Sequence, residues 1–332
     1  MKTHGRRAPC AAGQPIRAIE KAKVDIAYAN GLLAIHEATW AFIAPRLARK
    51  ARIPFVYYMI DELHRLVPEA VLRPLAKLIE RSNMKASTIV VSINEALREY
   101  TIQMGAHPEK TSVIRAGIDF GIYNKGVDSQ ALRKELGIQK GDVVLFFMGW
   151  LYEFSGLKEV ALHLAREPIR YGRIKLLMIG KGELWDTIGR IRMNNHLEIK
   201  IVLLDWKPYN EVPGYIAASD IGILPTYNNR VMKNIVPIKM YEYMASGKPV
   251  IATALPGLRK EFGADNGVTY IDRPEDVPRK ALEMLRNATV ENEGRKARRF
   301  VSGNNWEGVV DEFEITLTSL LSSSESGHYT SR

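Results

Sequence analysis

The chain has 332 residues, of which 46% are hydrophobic and 25% charged, a composition typical of a soluble globular protein with two domains. Its apolar runs are too short to cross a bilayer, and the basic N-terminus lacks the apolar segment of a secretory signal. Cys10 is the only cysteine, which excludes an intramolecular disulfide and fits a reducing cytoplasm.

The net charge of +10 is concentrated near the N-terminus, where residues 1–60 hold ten Lys and Arg against three Asp and Glu. A cluster of four cations, Arg46, Arg49, Lys50 and Arg52, predicts contact with an anionic membrane or a lipid phosphate. A solvated surface is the alternative. Nucleic acid is not expected as a partner, because no aromatic-interleaved basic patch accompanies the charge.

In the first half, residues 1–15 are rich in Gly, Pro and Arg and are predicted to be disordered. Strand and helix patterns then alternate, which predicts a parallel sheet covered by helices. The predicted strands are 24–29, 54–60, 87–93 and 112–115, and the predicted helices are 38–51, 68–84 and 95–104. Residues 120–140 are polar and contain glycines, which indicates a linker with a short helix at 130–136.

The second half continues the alternation. Its predicted strands are 142–148, 175–179, 200–204, 221–224, 249–252 and 267–271, and its predicted helices include 157–165, 210–218, 275–287 and 306–321. In an open parallel sheet, ligands bind beyond the carboxyl ends of the strands. The residues at four such ends are Gly149, Trp150, Gly180, Lys181, Gly182, Asp205, Trp206 and Pro225. Glycine there lets a phosphate or sugar approach the backbone, and a purely structural turn is the alternative.

The most informative stretch is 234–252, which reads as a loop, a helix, a stop and a buried strand. We predict that the helix begins near Ile235, with Pro237 in its first turn, and ends before Gly247. Glu242 lies on its mostly apolar face, where a bare buried carboxylate would be costly. It therefore needs a ligand or a partner, and Lys239, three residues earlier, is the local candidate.

This stretch resembles the donor-binding segment of glycosyltransferase family 4, retaining enzymes with the GT-B fold. Their fold is an α/β architecture of two Rossmann-like domains that face a cleft. The family segment has two glutamates separated by seven residues, followed by Ala-x-Gly-x-Pro-Val-Ile. Glu242 stands at the second glutamate and Asn234 at the first, and the resemblance extends from about residue 24 to about residue 288.

The resemblance implies transfer of a sugar from a UDP- or GDP-sugar to a hydroxyl acceptor, either a glycan or a lipid-linked one. It implies no obligatory cofactor and no metal. Glu242 would bind the ribose and Asn234 would orient the sugar, with Ile235, Val236 and Lys239 as further donor contacts. The resemblance puts Ile60 or Asp61 at the position of a family histidine near the donor sugar, with His64 one turn later. Asp61, His64 and Asn234 are therefore the catalytic candidates, and a structural role for His64 is equally open.

The chain departs from the family at the diphosphate. The family has Gly-Arg-Leu and then Lys-Gly, whereas this chain has Trp150 and Ser155 at the two cationic positions. Lys158, Arg230, Lys233 and Lys239 are the candidates to replace them. An inactive remnant that only binds nucleotide sugars, and a GT-B sugar-nucleotide epimerase, are the alternatives to a transferase.

The family's N-terminal domain opens with a strand and a glycine-rich loop, and no such loop precedes residue 24. We therefore expect an incomplete N-terminal domain over 16–125 and a C-terminal nucleotide-sugar-binding domain over 126–305. A helix at 306–321 would pack back on the first domain and precede a tail at 322–332. The expected location is the cytoplasm, including the inner surface of its membrane.

Overall fold

The computed structural model of the chain describes residues 33–35, 43–51, 53–67, 69–124, 129–230 and 232–326. The predicted disordered tail, the predicted strand 24–29 and Arg52 lie outside these residues. The chain divides into two compact units, residues 1–115 with 310–332 and residues 116–309. None of the helices in the described part of the chain combines the length and apolar character needed to cross a bilayer.

The first unit contains a four-stranded parallel sheet with the order β1-β2-β3-β4. Its strands are β1 Leu33–Ile35, β2 Phe55–Met59, β3 Ile89–Ser92 and β4 Thr111–Val113. Its helices are α1 Ile43–Ala51, α2 Leu63–Leu66, α3 Arg73–Ala86 and α4 Glu95–Gln103, with a 3₁₀ turn at Ala70–Leu72 before α3. The Asn94 side chain caps α4 by accepting a hydrogen bond from the Leu97 amide at 2.8 Å.

The second unit contains a six-stranded parallel sheet with the order β10-β9-β8-β5-β6-β7. Its strands are β5 Val143–Met148, β6 Ile174–Ile179, β7 Ile201–Leu204, β8 Ile221–Leu224, β9 Val250–Thr253 and β10 Val268–Ile271. The central strands are almost wholly buried, which explains their unbroken apolar sequences.

Helices precede, connect and follow the strands of the second unit. They are α5 Phe120–Asn124, α6 Ser129–Glu135, α7 Leu157–Arg166, α8 Trp185–Asn194, α9 Val212–Ala218, α10 Ile238–Ala245, α11 Pro256–Phe262, α12 Asp276–Arg286, α13 Val290–Val301 and α14 Trp306–Ser326. Helix α14 continues into the first unit, where the Phe313 ring meets Tyr58 edge-on with 6.2 Å between centroids. It also extends five residues beyond the predicted end at 321.

Several helices differ from the predictions. The predicted helix 68–84 is divided into the 3₁₀ turn and α3, because Pro74 suits only the first turn of a helix. The helices α2, α5, α8, α11 and α13 were not predicted. Helix α13 buries only Gly294, Ala297 and Val301, and so narrow a stripe of small residues gives a weak periodic signal.

Candidate functional site

The strand-end residues predicted from the sequence lie in the second unit. Gly149 follows β5, Gly180 follows β6, Asp205 follows β7 and Pro225 follows β8. Since β8, β5, β6 and β7 are consecutive parallel neighbours, their carboxyl ends lie at one edge of the sheet. This edge is where an open parallel sheet binds ligands.

The glycines at this edge allow the turns to contact one another. Gly180 has a φ of +143°, and a Cβ atom there would overlap the carbonyl oxygen of Gly149. A Cβ atom at Gly182 would lie 2.7 Å from the backbone nitrogen and oxygen of Leu151. The amides of Gly149 and Gly180 donate to Ile179 and Leu204 at 2.9 and 3.0 Å. These two amides are therefore used within the protein and are not free to bind an anion.

Lys239 from α10 provides a positive group beside Gly149. Its Nζ lies 4.2 Å from the centroid of the Phe147 ring and 2.7 Å from the place a Cβ atom of Gly149 would occupy. A side chain at position 149 would displace the ammonium from this place, and the φ of +125° at Gly149 itself favours glycine. Within the described residues, Lys239 forms no ion pair. Burial lowers its pKa to about 8, which the nearby Glu242 charge partly opposes.

Glu242 lies one turn further along α10. Its Oε1 accepts a hydrogen bond from the Tyr123 hydroxyl at 3.0 Å, and the Tyr209 hydroxyl also hydrogen-bonds to it. Burial raises the pKa of Glu242, while these hydroxyls and the Lys239 charge oppose the rise. The local pair expected between Glu242 and Lys239 is not formed, because the lysine side chain extends to Gly149 and the carboxylate is held by tyrosines.

Aromatic side chains occupy the same edge of the sheet. The Trp150 ring lies 6.1 Å from the Trp206 ring, and Tyr152 stacks on Phe154 at 4.7 Å. Trp150 and Trp206 are 46% and 42% exposed, so their faces are available to a ligand. Lys181 forms an ion pair with Asp205 at 2.6 Å, which lowers the pKa of that carboxyl and offsets the lysine charge.

The loop before α10 differs from the prediction. Helix α10 begins at Ile238, with Pro237 as its N-cap, rather than near Ile235. Asn234, Ile235 and Val236 are therefore loop residues. A Cβ atom at Gly257 would lie 2.8 Å from the Asn234 carbonyl carbon, so α11 packs directly on the loop backbone.

Asp61 and His64 belong to the first unit. The His64 Nδ1 lies 2.8 Å from Glu80 Oε2, and the His64 backbone amide donates to Glu80 Oε1 at 2.9 Å. Tyr100 completes this buried network by donating to Glu80 Oε2 at 3.0 Å. These contacts give His64 a structural role. Burial, with the Glu62 charge, raises the pKa of Asp61 to about 6.

The sequence did not indicate a ligand-binding or positioning role for three polar side chains. Tyr123 and Tyr209 reach Glu242 from distant parts of the chain, and no local pattern connects them. Ser155 is buried and its Oγ has no hydrogen-bond partner among the described residues. It precedes α7, whose N-cap Gly156 provides no side chain. An unpaired buried hydroxyl at this edge is suited to a polar ligand.

Two family profiles match the chain. The family described as glycosyl transferases group 1 matches residues 128–300, and the glycosyl transferase 4-like domain matches residues 3–117. A D-inositol 3-phosphate glycosyltransferase of Corynebacterium glutamicum is 30% identical over 181 residues, which cover 52% of this chain and 42% of that protein. The chain thus spans about half the length of such curated relatives.

A longer match is the UDP-Gal:alpha-D-GlcNAc-diphosphoundecaprenol alpha-1,3-galactosyltransferase of Escherichia coli. It is 22% identical over 311 residues, which cover 90% of this chain and 73% of that protein. Among solved structures, HepE of Anabaena in complex with UDP has a TM-score of 0.72 at 19% identity, over 90% of this chain and 81% of HepE. Sucrose-phosphate synthase of Thermosynechococcus elongatus has a TM-score of 0.73 at 15% identity, over 97% and 81% of the two chains. These likenesses show the GT-B fold.

Proposed function

The chain belongs to the group 1 glycosyl transferases, and from this membership we propose that it moves a sugar from a nucleotide diphosphate sugar to a hydroxyl acceptor. One observation carries the proposal. A lysine and a glutamate, one turn apart on α10, lie at the ligand-binding edge of the sheet without pairing to each other. A cation and a carboxylate in this arrangement fit the diphosphate and the ribose of one nucleotide.

Lys239 is our candidate for the diphosphate. In this proposal Lys239 replaces the arginine and lysine with which the family binds phosphate after β5. This chain has Trp150 and Ser155 at those two positions. A charged hydrogen bond is worth about 1.5–3 kcal/mol, so one lysine compensates in part for the two lost cations. The Ser155 hydroxyl is a second donor for the same phosphates.

Glu242 is our candidate for the ribose. Tyr123 donates to one of its oxygens, and the carboxylate keeps acceptor capacity for sugar hydroxyls. The exposed Trp150 and Trp206 rings offer apolar faces to the base or to the sugar. Asn234 would orient the transferred sugar through its amide. The UDP complexes of HepE favour a uridine donor over a guanosine one.

We propose that the transfer retains the anomeric configuration. The bond between sugar C1 and the diphosphate oxygen breaks with both electrons on the diphosphate. The acceptor oxygen bonds to C1 on the same face, and its proton passes to the departing diphosphate. The positive charge of Lys239 stabilises the charge that develops on the leaving group. Asp61 stays a candidate for contact with the sugar.

Two observations support a lipid-linked acceptor and a location at a membrane. The Escherichia coli relative is named for a diphosphoundecaprenol acceptor, which supports a lipid-linked hydroxyl here. Arg46, Arg49 and Lys50 are exposed on α1, and cations of this kind attract anionic headgroups. We therefore propose that the enzyme works in the cytoplasm against the inner surface of the membrane.

The test is donor binding followed by turnover. We expect calorimetry to detect UDP binding tighter than GDP binding, and a labelled UDP-sugar to be consumed when a lipid-linked sugar acceptor is present. Proton NMR of the product would give the anomeric configuration. Failure to bind either nucleotide would contradict the proposal. Binding without transfer to any acceptor would favour the remnant, and inversion of a donor-sugar hydroxyl without an acceptor would favour the epimerase.

A further inference from the structure

The Glu242 carboxylate is held by hydroxyl groups from two distant parts of the chain. The Tyr123 hydroxyl, on α5, donates to Glu242 Oε1 at 3.0 Å. The Tyr209 hydroxyl comes from the loop between β7 and α9 and lies within hydrogen-bonding reach of both Glu242 and Tyr123. Three polar side chains from three separate elements thus form one cluster at Glu242.

The backbone that carries each tyrosine is fixed by bonds within the protein. Asp119 Oδ1 accepts from the Gly121 amide at 2.9 Å at the start of α5, and α5 packs against α10. The Tyr209 carbonyl accepts from the Val212 amide at 3.2 Å in the turn that leads into α9. A phenylalanine at position 123 or 209 would fill nearly the same space but could not donate to the carboxylate. The hydroxyls are therefore what distinguishes these two positions from ordinary apolar packing.

Glu242 needs these donors because its carboxylate is buried. Burial raises the pKa of Glu242, and the Tyr123 hydrogen bond, the Lys239 charge and the Tyr209 hydrogen bond oppose the rise. The Lys239 ammonium is directed to Gly149 instead of bonding to the carboxylate. Hydrogen bonds to a charged group are stronger than those between neutral groups, so the two hydroxyls favour the ionised form of Glu242.

We propose that Tyr123 and Tyr209 are positioning residues of the donor site, whose hydroxyls keep the Glu242 carboxylate charged and oriented for the ribose. This role rests on the proposed binding of ribose by Glu242. A carboxylate accepts several hydrogen bonds at its two oxygens, so it can bond to the tyrosines and to the ribose at once. If the tyrosines instead blocked the carboxylate, removal of their hydroxyls would strengthen donor binding. The sign of the effect therefore separates the two arrangements.

Tyr123→Phe and Tyr209→Phe test this role one hydroxyl at a time. The carboxylate is ionised above its pKa, and loss of a donor moves that pKa upward, so the variants lose donor affinity at a higher pH than the wild type. In calorimetry, each variant should bind UDP about tenfold more weakly than the wild type at pH 6. This deficit should become smaller at pH 7, where more of the carboxylate is ionised.

The other titratable groups near the cluster do not account for such a change. Lys239 stays charged between pH 6 and pH 7, because its pKa is about 8, and Tyr243 stays neutral because burial raises its pKa. Asp119, whose charge acts on Tyr209, is unchanged in every variant. A UDP phosphate also titrates near pH 6, but this effect is common to all the proteins and cancels in the ratio to the wild type.

The matched control is Tyr171→Phe. The Tyr171 hydroxyl lies 3.2 Å from His163 Nε2, and the residue precedes β6, at the opposite edge of the sheet from Glu242. This control should bind UDP as the wild type does at both pH values. In a double-mutant cycle, adding either phenylalanine to Glu242→Gln should cost little further affinity, because the tyrosines act through the carboxylate.

The proposal is overturned if both phenylalanine variants bind UDP as the wild type does, or more tightly. A deficit of the same size at pH 6 and pH 7, or full additivity with Glu242→Gln, would overturn it as well, since the tyrosines would then contribute only to structure. If Glu242→Gln weakens UDP binding and the phenylalanine variants do not, the ribose assignment stands and only the positioning role is refuted. A wild-type protein that binds no UDP would contradict the proposed function and the positioning role together.

Discussion

Lys239 and Glu242 show how differently two side chains of one helix can be used. They are three residues apart, a spacing at which opposite charges pair weakly in isolated helices. The structure instead directs the ammonium to Gly149 and the carboxylate to Tyr123. Each group keeps part of its bonding capacity for a ligand, and each can be tested separately.

Glu242→Gln tests the ribose contact. We expect the variant to bind UDP about tenfold or more weakly in calorimetry, because a charged acceptor becomes a neutral amide. Its melting temperature should not fall, because burial already disfavours the charged form of Glu242 and raises its pKa. Glu261→Gln is a matched control, since Glu261 also accepts from a tyrosine, Tyr241, at 2.6 Å. Equal UDP affinity in both variants would refute the assignment of Glu242.

The lowered pKa of Lys239 predicts that donor affinity depends on pH. The lysine binds a diphosphate as an ammonium, and its pKa is lowered to about 8 in the free protein. The ammonium is therefore present at pH 7 and is lost as the pH rises through 8. UDP affinity should fall about tenfold between pH 7 and pH 9. Lys239→Met should bind weakly at both values.

The control for the pH effect is Lys239→Arg, because an arginine remains charged throughout this range. Where the larger guanidinium is accommodated beside Gly149, the pH dependence should disappear. If calorimetry of the wild type gives the same UDP affinity at pH 7 and pH 9, the assignment of Lys239 to the diphosphate is wrong. This holds whatever the behaviour of the variants.

The α2 and α3 segment shows how one element depends on a contact that its sequence does not reveal. Glu80 is fully buried and accepts hydrogen bonds from the His64 amide and from the Tyr100 hydroxyl. Glu80→Ala should lower the free energy of unfolding of the first unit by about 3 kcal/mol or more, because it leaves buried donors unpaired. Urea unfolding would measure this. The exposed Glu109→Ala is the control and should change little.

The exposed cations of α1 lead to a second electrostatic prediction. Arg46, Arg49 and Lys50 are exposed along it. Replacing all three by Ser should reduce co-sedimentation with anionic vesicles at low salt and have little effect at high salt, since exposed charges are screened. If the wild-type protein does not sediment with the vesicles at low salt, the prediction is wrong and the cluster is an ordinary solvated surface.

The described residues of the two units form cores of different size, which predicts unequal resistance to protease. Among these residues, the main hydrophobic cluster of the second unit includes all six of its strands, whereas that of the first unit is built mainly on β2, β3 and α4. Stability grows with the apolar area buried. Limited proteolysis should therefore degrade the first unit first and leave a fragment close to residues 116–309. Equal digestion of both units would contradict this.

The fragment should also bind UDP, because Gly149, Lys239 and Glu242 all lie within it, and mass spectrometry followed by calorimetry would check both points. We expect its transfer activity to be weak or absent, because Asp61 lies in the first unit. Efficient sugar transfer by the isolated fragment would show that the first unit is not needed for the chemistry.

Local sequence patterns were sufficient for most of the sheet scaffold. Strands β2 to β10 lie within two residues of their predicted bounds, because a parallel strand is a short apolar run bounded by turn residues. The segment from Lys239 to Ile251 identified the family for the same reason, since its helix, stop and strand follow from residues next to one another. Helices with polar or small-residue faces, such as α8 and α13, gave no comparable signal.

Tertiary structure alone decided how the candidate site is assembled. The Tyr123 contact with Glu242 joins residues 119 positions apart, and the packing of Lys239 against Gly149 joins two elements of the sheet edge. The burial of Glu80 and the exposure of Leu75 on one helix likewise reverse what its composition suggests. Periodicity reports only which residues share a face. Which face is buried, and what each side chain meets, depends on distant parts of the chain that the fold brings together.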